Sequence, residues 1–129
     1  MKKKAKARRI EDRTVLVIRD GERVVLKKRP KRGLLAGLYE FPNELGKLSE
    51  DEALHAVQEM NLHPMRIQKL EDAKHIFSHV EWRMAGFLAE CAFPGEPKEG
   101  ERWVTREELE GECAVPSAFR AYRDLGGRL

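Results

Sequence analysis

A regular pattern begins at Arg13, where Val15, Val17 and Arg19 alternate with Leu16, Ile18 and Asp20. An Asp20-Gly21 turn then leads into Val24, Val25 and Leu26. Two β-rich runs about an Asp-Gly pair predict a hairpin, because that dipeptide tolerates the backbone of a tight reversal. Arg29 to Gly37 follows with one proline and two glycines, the punctuation of a loop. Its Leu34-Leu35 pair is too apolar for a solvated turn, so the loop is expected to fold back on the body. Leu38 to Phe41 reads as a short strand stopped by Pro42-Asn43.

The clearest helix follows Ser49. Ser49 and Glu52 form a Ser-x-x-Glu capping box, which satisfies two N–H groups that a first helical turn leaves orphaned. Ala53, Ala56, Val57 and Met60 then fall at i, i+3, i+4 and i+7 and make one apolar face. Asn61 suits the stop, and Pro64 forbids much continuation. Residues 67–70, 74–80 and 82–91 read as three more strands, the last two as a hairpin or one bent strand with a bulge at Gly86. Phe93 to Pro97 is a loop, Trp103-Val104 ends a strand, and Thr105 with Glu108 repeats the capping box. Pro116 is expected in the first turn of a last helix carrying Ala118, Phe119 and Tyr122 and closed by Gly126-Gly127. Residues 1–12 show no period and bury nothing. They read as a basic arm or linker before a single domain at 13–129. Strands interrupted by capped helices predict a mixed α/β sandwich without internal repeats.

Composition narrows the class. A chain of 129 residues is enough for one domain and too little for two. With 41% hydrophobic and 36% charged residues it has the balance of a soluble globular protein. No apolar run approaches the roughly 20 residues of a membrane helix, so no membrane partner is expected. Glu11, Asp12 and Arg13 stand where a secretory signal would continue into an apolar stretch. Cys91 and Cys113 make neither a disulfide framework nor a metal cluster, and Cys91 beside Ala89 and Ala92 reads as an inert core thiol. A reducing, intracellular setting is the economical reading, with a monomer as the default.

The net charge of +3 conceals an uneven distribution. Six basic residues and no acid occupy positions 1–10, leaving 19 basic against 22 acidic residues elsewhere. Lys27, Lys28, Arg29, Lys31 and Arg32 form a second cluster in an otherwise acidic body. Such patches can seat a polyanion, although charge runs are most often simply solvated.

Candidate chemistry is sparse. His75 and His79, four apart on the strand expected at 74–80, would share a face, but two histidines need a third ligand to hold a metal. No nucleophile elbow or dinucleotide fingerprint occurs, and Gly33 and Gly37 lack the Lys-Ser/Thr ending of a phosphate-cradling loop.

Longer strings carry more. Arg29-Pro-Lys-Arg-Gly-Leu-Leu-Ala-Gly-Leu-Tyr-Glu-Phe-Pro42, Lys74-His-Ile-Phe-Ser-His-Val-Glu-Trp-Arg83, Trp103-Val-Thr-Arg-Glu-Glu-Leu109 and Val115-Pro-Ser-Ala-Phe-Arg120 occur in this order. Together they resemble the C-terminal domain of bacterial adenine DNA glycosylases, the MutY family, over about residues 10–125. The resemblance implies a Nudix-fold α/β/α sandwich, a mixed β-sheet flanked by helices, on the scaffold of pyrophosphohydrolases that clean oxidised nucleotides. Those hydrolases set an Arg-Glu-x-x-Glu-Glu-x-Gly run on a helix so that three carboxylates hold Mg²⁺. Here the corresponding residues are Leu54-His55-Ala56-Val57-Gln58-Glu59-Met60-Asn61, and only Glu59 matches a carboxylate. A free-standing pyrophosphohydrolase acting on oxidised nucleoside triphosphates is therefore the lesser alternative, and no metal is expected in this chain.

In that family the domain reads 8-oxoguanine opposite adenine in duplex DNA, supporting base excision repair. A separate N-terminal helical domain, carrying a 4Fe-4S cluster, excises the adenine. The resemblance implies no catalytic residue and no cofactor in this chain, and that catalytic domain and duplex DNA as partners. It further implies a bacterial cytoplasmic, nucleoid-associated location, with the lysine-rich start as the end of an interdomain linker. 8-Oxoguanine differs from guanine in an oxygen at C8 and in N7, which becomes an N–H donor. Ser78 matches the sensor position, since a hydroxyl can accept that hydrogen bond, and Phe77 and His79 would shape its loop. Lys27, Lys28, Arg29, Lys31, Arg32 and the arm's lysines would contact phosphates. Leu34, Leu35 and Leu38 fit either packing within the domain or docking on the catalytic domain.

Overall fold

The computed structural model describes residues 8–92, 95 and 97–123. Its elements are β1 (Arg9–Arg19), β2 (Arg23–Lys28), β3 (Tyr39–Glu40), β4 (Asn43–Leu45), α1 (Glu50–Glu59), β5 (Pro64–Ile76), β6 (Val80–Cys91), β7 (Glu101–Thr105) and α2 (Arg106–Glu110), followed by a 3₁₀ turn (Ser117–Phe119). The sheet runs β3-β2-β1-β6-β5, with β4 added to β1 and β7 to β2. β1 and β6 are parallel and the other pairs antiparallel, so the sheet is mixed.

Strand alternation divides the core into two layers. Val15, Val17, Val24, Leu26, Trp82 and Met84 face Phe119 and Tyr122 of the C-terminal segment. Leu16, Ile18, Val25, Phe87 and Ala89 face Ala53, Val57 and Met60 of α1. Central strands are thus apolar on both faces, and helical segments flank the sheet on both sides, as the α/β/α expectation requires. Both capping boxes form, at Ser49 with Glu52 and at Thr105 with Glu108. Asn61 ends α1 at φ +62°, a left-handed conformation that asparagine tolerates.

Several expectations need correction. Arg9 to Asp12 belong to β1, not to an arm: they pair in register with Val80 to Arg83. Their pattern is polar because this end of the strand is only half covered, so backbone pairing specifies it without a hydrophobic signature. The strands expected at 67–70 and 74–80 are instead one, β5, and it ends at Ile76, after which residues 77–79 reverse the chain. β4 carries no periodic signal in its three residues and was not expected. The register is irregular at two places on β5, between Pro64 and Arg66 and, as the bulge nearest Gly86, between Leu70 and Ala73. Gly86, opposite Leu70, is required for another reason: a Cβ there would sit 2.4 Å from Tyr122 Cε1. The Tyr122 hydroxyl in turn donates to the bulge carbonyl of Glu71 at 3.0 Å. Pro116 is the N-cap of the 3₁₀ turn, one position earlier than expected. Residues 1–7, Phe93, Pro94, Glu96 and the Gly126-Gly127 stop lie outside the described residues.

Candidate nucleic-acid interface

Residues 77–79 form the tip of the β5–β6 hairpin. Phe77 N donates to Val80 O at 2.7 Å, and Arg9 N donates to His79 O at 3.0 Å, tying the tip to β1. The Phe77 ring meets His75 edge-on at 4.7 Å and Trp82 at 5.0 Å. Trp82 is fully buried and leans on Phe119, which contacts Phe41. An aromatic chain therefore runs from the tip into the core, each such pair adding about 0.5–1.5 kcal/mol beyond its buried area. Phe77 is the half-buried anchor, while Ser78 and His79 are exposed. This arrangement presents a hydroxyl and an imidazole to solvent on a backbone fixed from three sides.

The histidine pair expected on one strand face does not exist. His75 lies on β5 opposite Trp82, whereas His79 lies past the strand end, because the chain reverses between them.

The basic run divides. Arg29 donates from Nη1 to Glu40 Oε1 at 2.7 Å and from Nε to Leu34 O at 2.8 Å, with its guanidinium over the Trp82 ring. Glu40 is buried, so this pair is structural in location. Asn43 also donates to Glu40 and accepts from Arg13, whose guanidinium covers Trp82 beside that of Arg29. Arg13 continues the network to Glu11, where burial pushes the carboxyl up and Arg9 and Arg13 more than reverse it. Lys27 approaches Glu40 at 4.0 Å and Lys28 lies over Tyr39. Lys31 and Arg32 are exposed without an ion pair among the described residues. Leu34 and Leu35 pack on the core, as the loop's apolar pair implied, and Leu38 is exposed. Leu35 adopts φ +53°, a costly conformation for leucine that the closed loop holds in place. Sequence reasoning did not foresee Arg13, Glu40 or Asn43 as supports of this region. Their separation along the chain left no local signal.

The helix that carries metal ligands in Nudix hydrolases can be tested against α1. His55 and Glu59 are exposed and pair with each other at 3.4 Å. The Glu52 carboxylate is committed to the Ser49 N–H at 2.8 Å. Glu44, Asp51 and Glu59 border the same open groove, but no three ligand atoms there converge within 4.8 Å. Among the described residues only Glu108, Glu112 and Cys113 do so, and they lie elsewhere. Octahedral Mg²⁺ needs closely gathered oxygen ligands, so α1 does not fit a Mg²⁺–pyrophosphate site. Cys91 is buried, and burial pushes its thiol up to about 11, far from nucleophilic use at neutral pH. Among the described residues, no helix is long and apolar enough to cross a membrane.

Comparison with known proteins is consistent with this geometry. The NUDIX domain family matches residues 14–125. The adenine DNA glycosylase of Mus musculus is 35% identical over 115 residues, covering 81% of this chain and 22% of that protein. The Homo sapiens adenine DNA glycosylase is 32% identical over 115 residues, covering 80% and 21%. The chain thus spans about a fifth of the length of these curated relatives. Among solved structures, the C-terminal domain of mouse MUTYH in complex with human PCNA superposes with a TM-score of 0.66 at 29% identity, over 92% of this chain and 91% of that one. The MutT NUDIX hydrolase of Burkholderia pseudomallei gives 0.68 at 22% identity, over 94% and 99%, a likeness of fold alone.

Proposed function

This chain belongs to the NUDIX domain family, and from that premise we propose that it is the non-catalytic C-terminal reader domain of an adenine DNA glycosylase. In this reading it recognises 8-oxoguanine opposite adenine in duplex DNA, while a catalytic domain of the same polypeptide, carrying the iron–sulfur cluster, removes the adenine. The observation that carries the reading is the tip at 77–79: an exposed Ser78 hydroxyl on a turn anchored by Phe77 against Trp82. The likeness to adenine DNA glycosylases supports it, as does an α1 that lacks a convergent carboxylate set.

The mechanism follows from hydrogen-bond polarity. Guanine N7 is an acceptor, and 8-oxoguanine N7 carries a proton, so a hydroxyl whose oxygen accepts there while its own proton is engaged elsewhere favours the damaged base over guanine. A single well-placed contact discriminates by roughly 1–3 kcal/mol, which requires an oxygen held still. The aromatic anchor supplies that stillness. His79 flanks the hydroxyl and holds β1 through its backbone carbonyl.

In the full-length glycosylase, Ser78→Ala is expected to lower the preference for 8-oxoguanine:A over G:A duplexes by about fivefold or more, the lower end of that range. Changing Phe77 and His79 to Ala as well should extend the loss. Single-turnover excision on the two duplexes measures it, and an unchanged ratio in the triple variant would remove the sensor assignment.

A further inference from the structure

A second polar feature lies on the face of the sheet that α1 covers. An open cleft of about 650 Å³ is bordered by the loop entering α1 and by β5 and β6. Lys47, Lys69, Lys74 and Arg83 line it together with Asp72 and Glu81. Its charges do not cancel. Lys69 donates to Asp72 at 2.9 Å, and Arg83 donates to Glu81 at 2.9 Å, with Arg8 3.5 Å from the same carboxylate. Lys47 and Lys74 have no ion pair within 4.0 Å among the described residues. Two exposed ammonium groups on separate elements, drawn only at longer range to Asp72 (Lys47) and Glu81 (Lys74), therefore border one concavity.

The cleft is also pre-organised. The Glu81 side chain is only 9% exposed and anchors Arg83 and Arg8. Lys74 and Arg83 are direct register partners across β5 and β6. The loop bearing Lys47 is clamped on both sides: Gly46 N donates to Asp12 O at 2.7 Å, and Leu48 N donates to the Thr14 hydroxyl at 2.9 Å. That hydroxyl donates in turn to Gly46 O at 2.8 Å. The backbone that carries Lys47 and Lys74 is thereby fixed, while their exposed side chains stay free to reach an anion.

We propose that this cleft seats backbone phosphates of duplex DNA. The proposal rests on the reader function, because β5 and β6 carry both the cleft and the tip. Lys74 lies three residues before Phe77, and Arg83 four after His79. At roughly 3.4 Å per strand residue these cations stand about 10–14 Å from the tip. A duplex covers that distance in three or four nucleotides at about 3.4 Å each. Phosphates flanking a base read at Ser78 therefore come within reach of the cleft. Separated lysines suit successive phosphodiesters better than the compact tail of a free nucleotide.

Fluorescence anisotropy of the full chain with labelled 8-oxoguanine:A and G:A duplexes tests this, using Lys47→Gln with Lys74→Gln and, separately, Ser78→Ala. The double variant is expected to bind both duplexes about tenfold more weakly at low salt, with the log K against log[salt] slope shallower by roughly 1.8. The ratio between duplexes and the melting temperature should stay unchanged. Unaltered affinity and slope in the double variant, with the ratio lowered in Ser78→Ala, overturns the cleft and leaves the reader function standing. Weaker binding by the double variant when the parent chain shows no duplex preference supports the cleft and overturns the reader. If instead the double variant loses affinity for a competing nucleoside triphosphate alone, the duplex is the wrong source of phosphate and the proposal fails.

Discussion

The run from Lys27 to Arg32 and the cleft around Lys74 are both rich in cations, yet they use their charge in opposite ways. In the run, sequence neighbours diverge: Arg29 turns inward to buried Glu40, Lys27 leans toward the same carboxylate, Lys28 lies over Tyr39, and Lys31 and Arg32 project into solvent. In the cleft, residues scattered from position 47 to position 83 converge. β2 sends Lys27 and Lys28 to opposite faces, and the loop after it turns Arg29 inward and leaves Lys31 and Arg32 outside, so a linear cluster is divided by the fold, while register gathers what the sequence spreads out. Linear charge density is a poor guide to surface charge.

The largest effect that would sharpen this contrast is on stability. Arg29→Ala removes the close ion-pair partner of buried Glu40, leaving it Asn43 and the more distant Lys27, and should cost about 3 kcal/mol, the lower end for breaking a buried pair. Lys31→Ala and Arg32→Ala should each stay within about 0.5 kcal/mol. Urea unfolding of the three variants measures both. Equal small losses would erase the division of the run into structural and exposed members.

On the cleft side, Thr14→Val keeps the shape of a fully buried side chain and removes the hydroxyl that joins Leu48 N to Gly46 O. Stranding those groups should cost about 1–2 kcal/mol. Because the same hydroxyl clamps the loop of Lys47, duplex affinity should fall with it. Denaturant midpoint and anisotropy, read together, test the link.

What the sequence disclosed follows the same division between local and non-local causes. Both capping boxes, the Asp20-Gly21 hairpin and the inward Leu34-Leu35 loop were legible because each is decided within a few neighbouring residues. The beginning of β1 at Arg9 and the three-residue β4 were not, since backbone pairing with distant strands makes them. The exposed turn at 77–79 was legible as a motif loop, and a hairpin there was one of two alternatives, but the point at which the first strand stops was not legible. The pattern Ile76, Phe77, Val80 reads as continuous strand until the pairing of Ile76 with Glu81 closes a hairpin. Neither the anchoring of Phe77 on Trp82 nor the cleft had any signature along the chain, because both depend on the β5–β6 register.

The smallest expected effect concerns the carboxylates that organise each region, and it is one of pH. Arg83's hydrogen bond is the main cause holding the Glu81 carboxyl below its ordinary 4.5, with partial burial opposing and the charges of Arg83 and Lys74 assisting. A folded-state pKa below the unfolded one means that the contribution is fully present above about pH 4.5 and is lost as pH falls through the lower, folded value. Glu81→Gln removes this contribution at every pH. The gap in melting temperature between parent and variant should therefore be constant above about pH 5 and close progressively as pH falls further, as the carboxylate that the variant lacks becomes protonated in the parent too. A gap that does not narrow at all as pH falls below 4.5 would mean that Glu81 acts by packing, not by charge. The cleft would then lose its anchor for Arg8 and Arg83, and with it the distinction between a carboxylate that draws cations inward, as Glu40 does, and one that sets them at the surface.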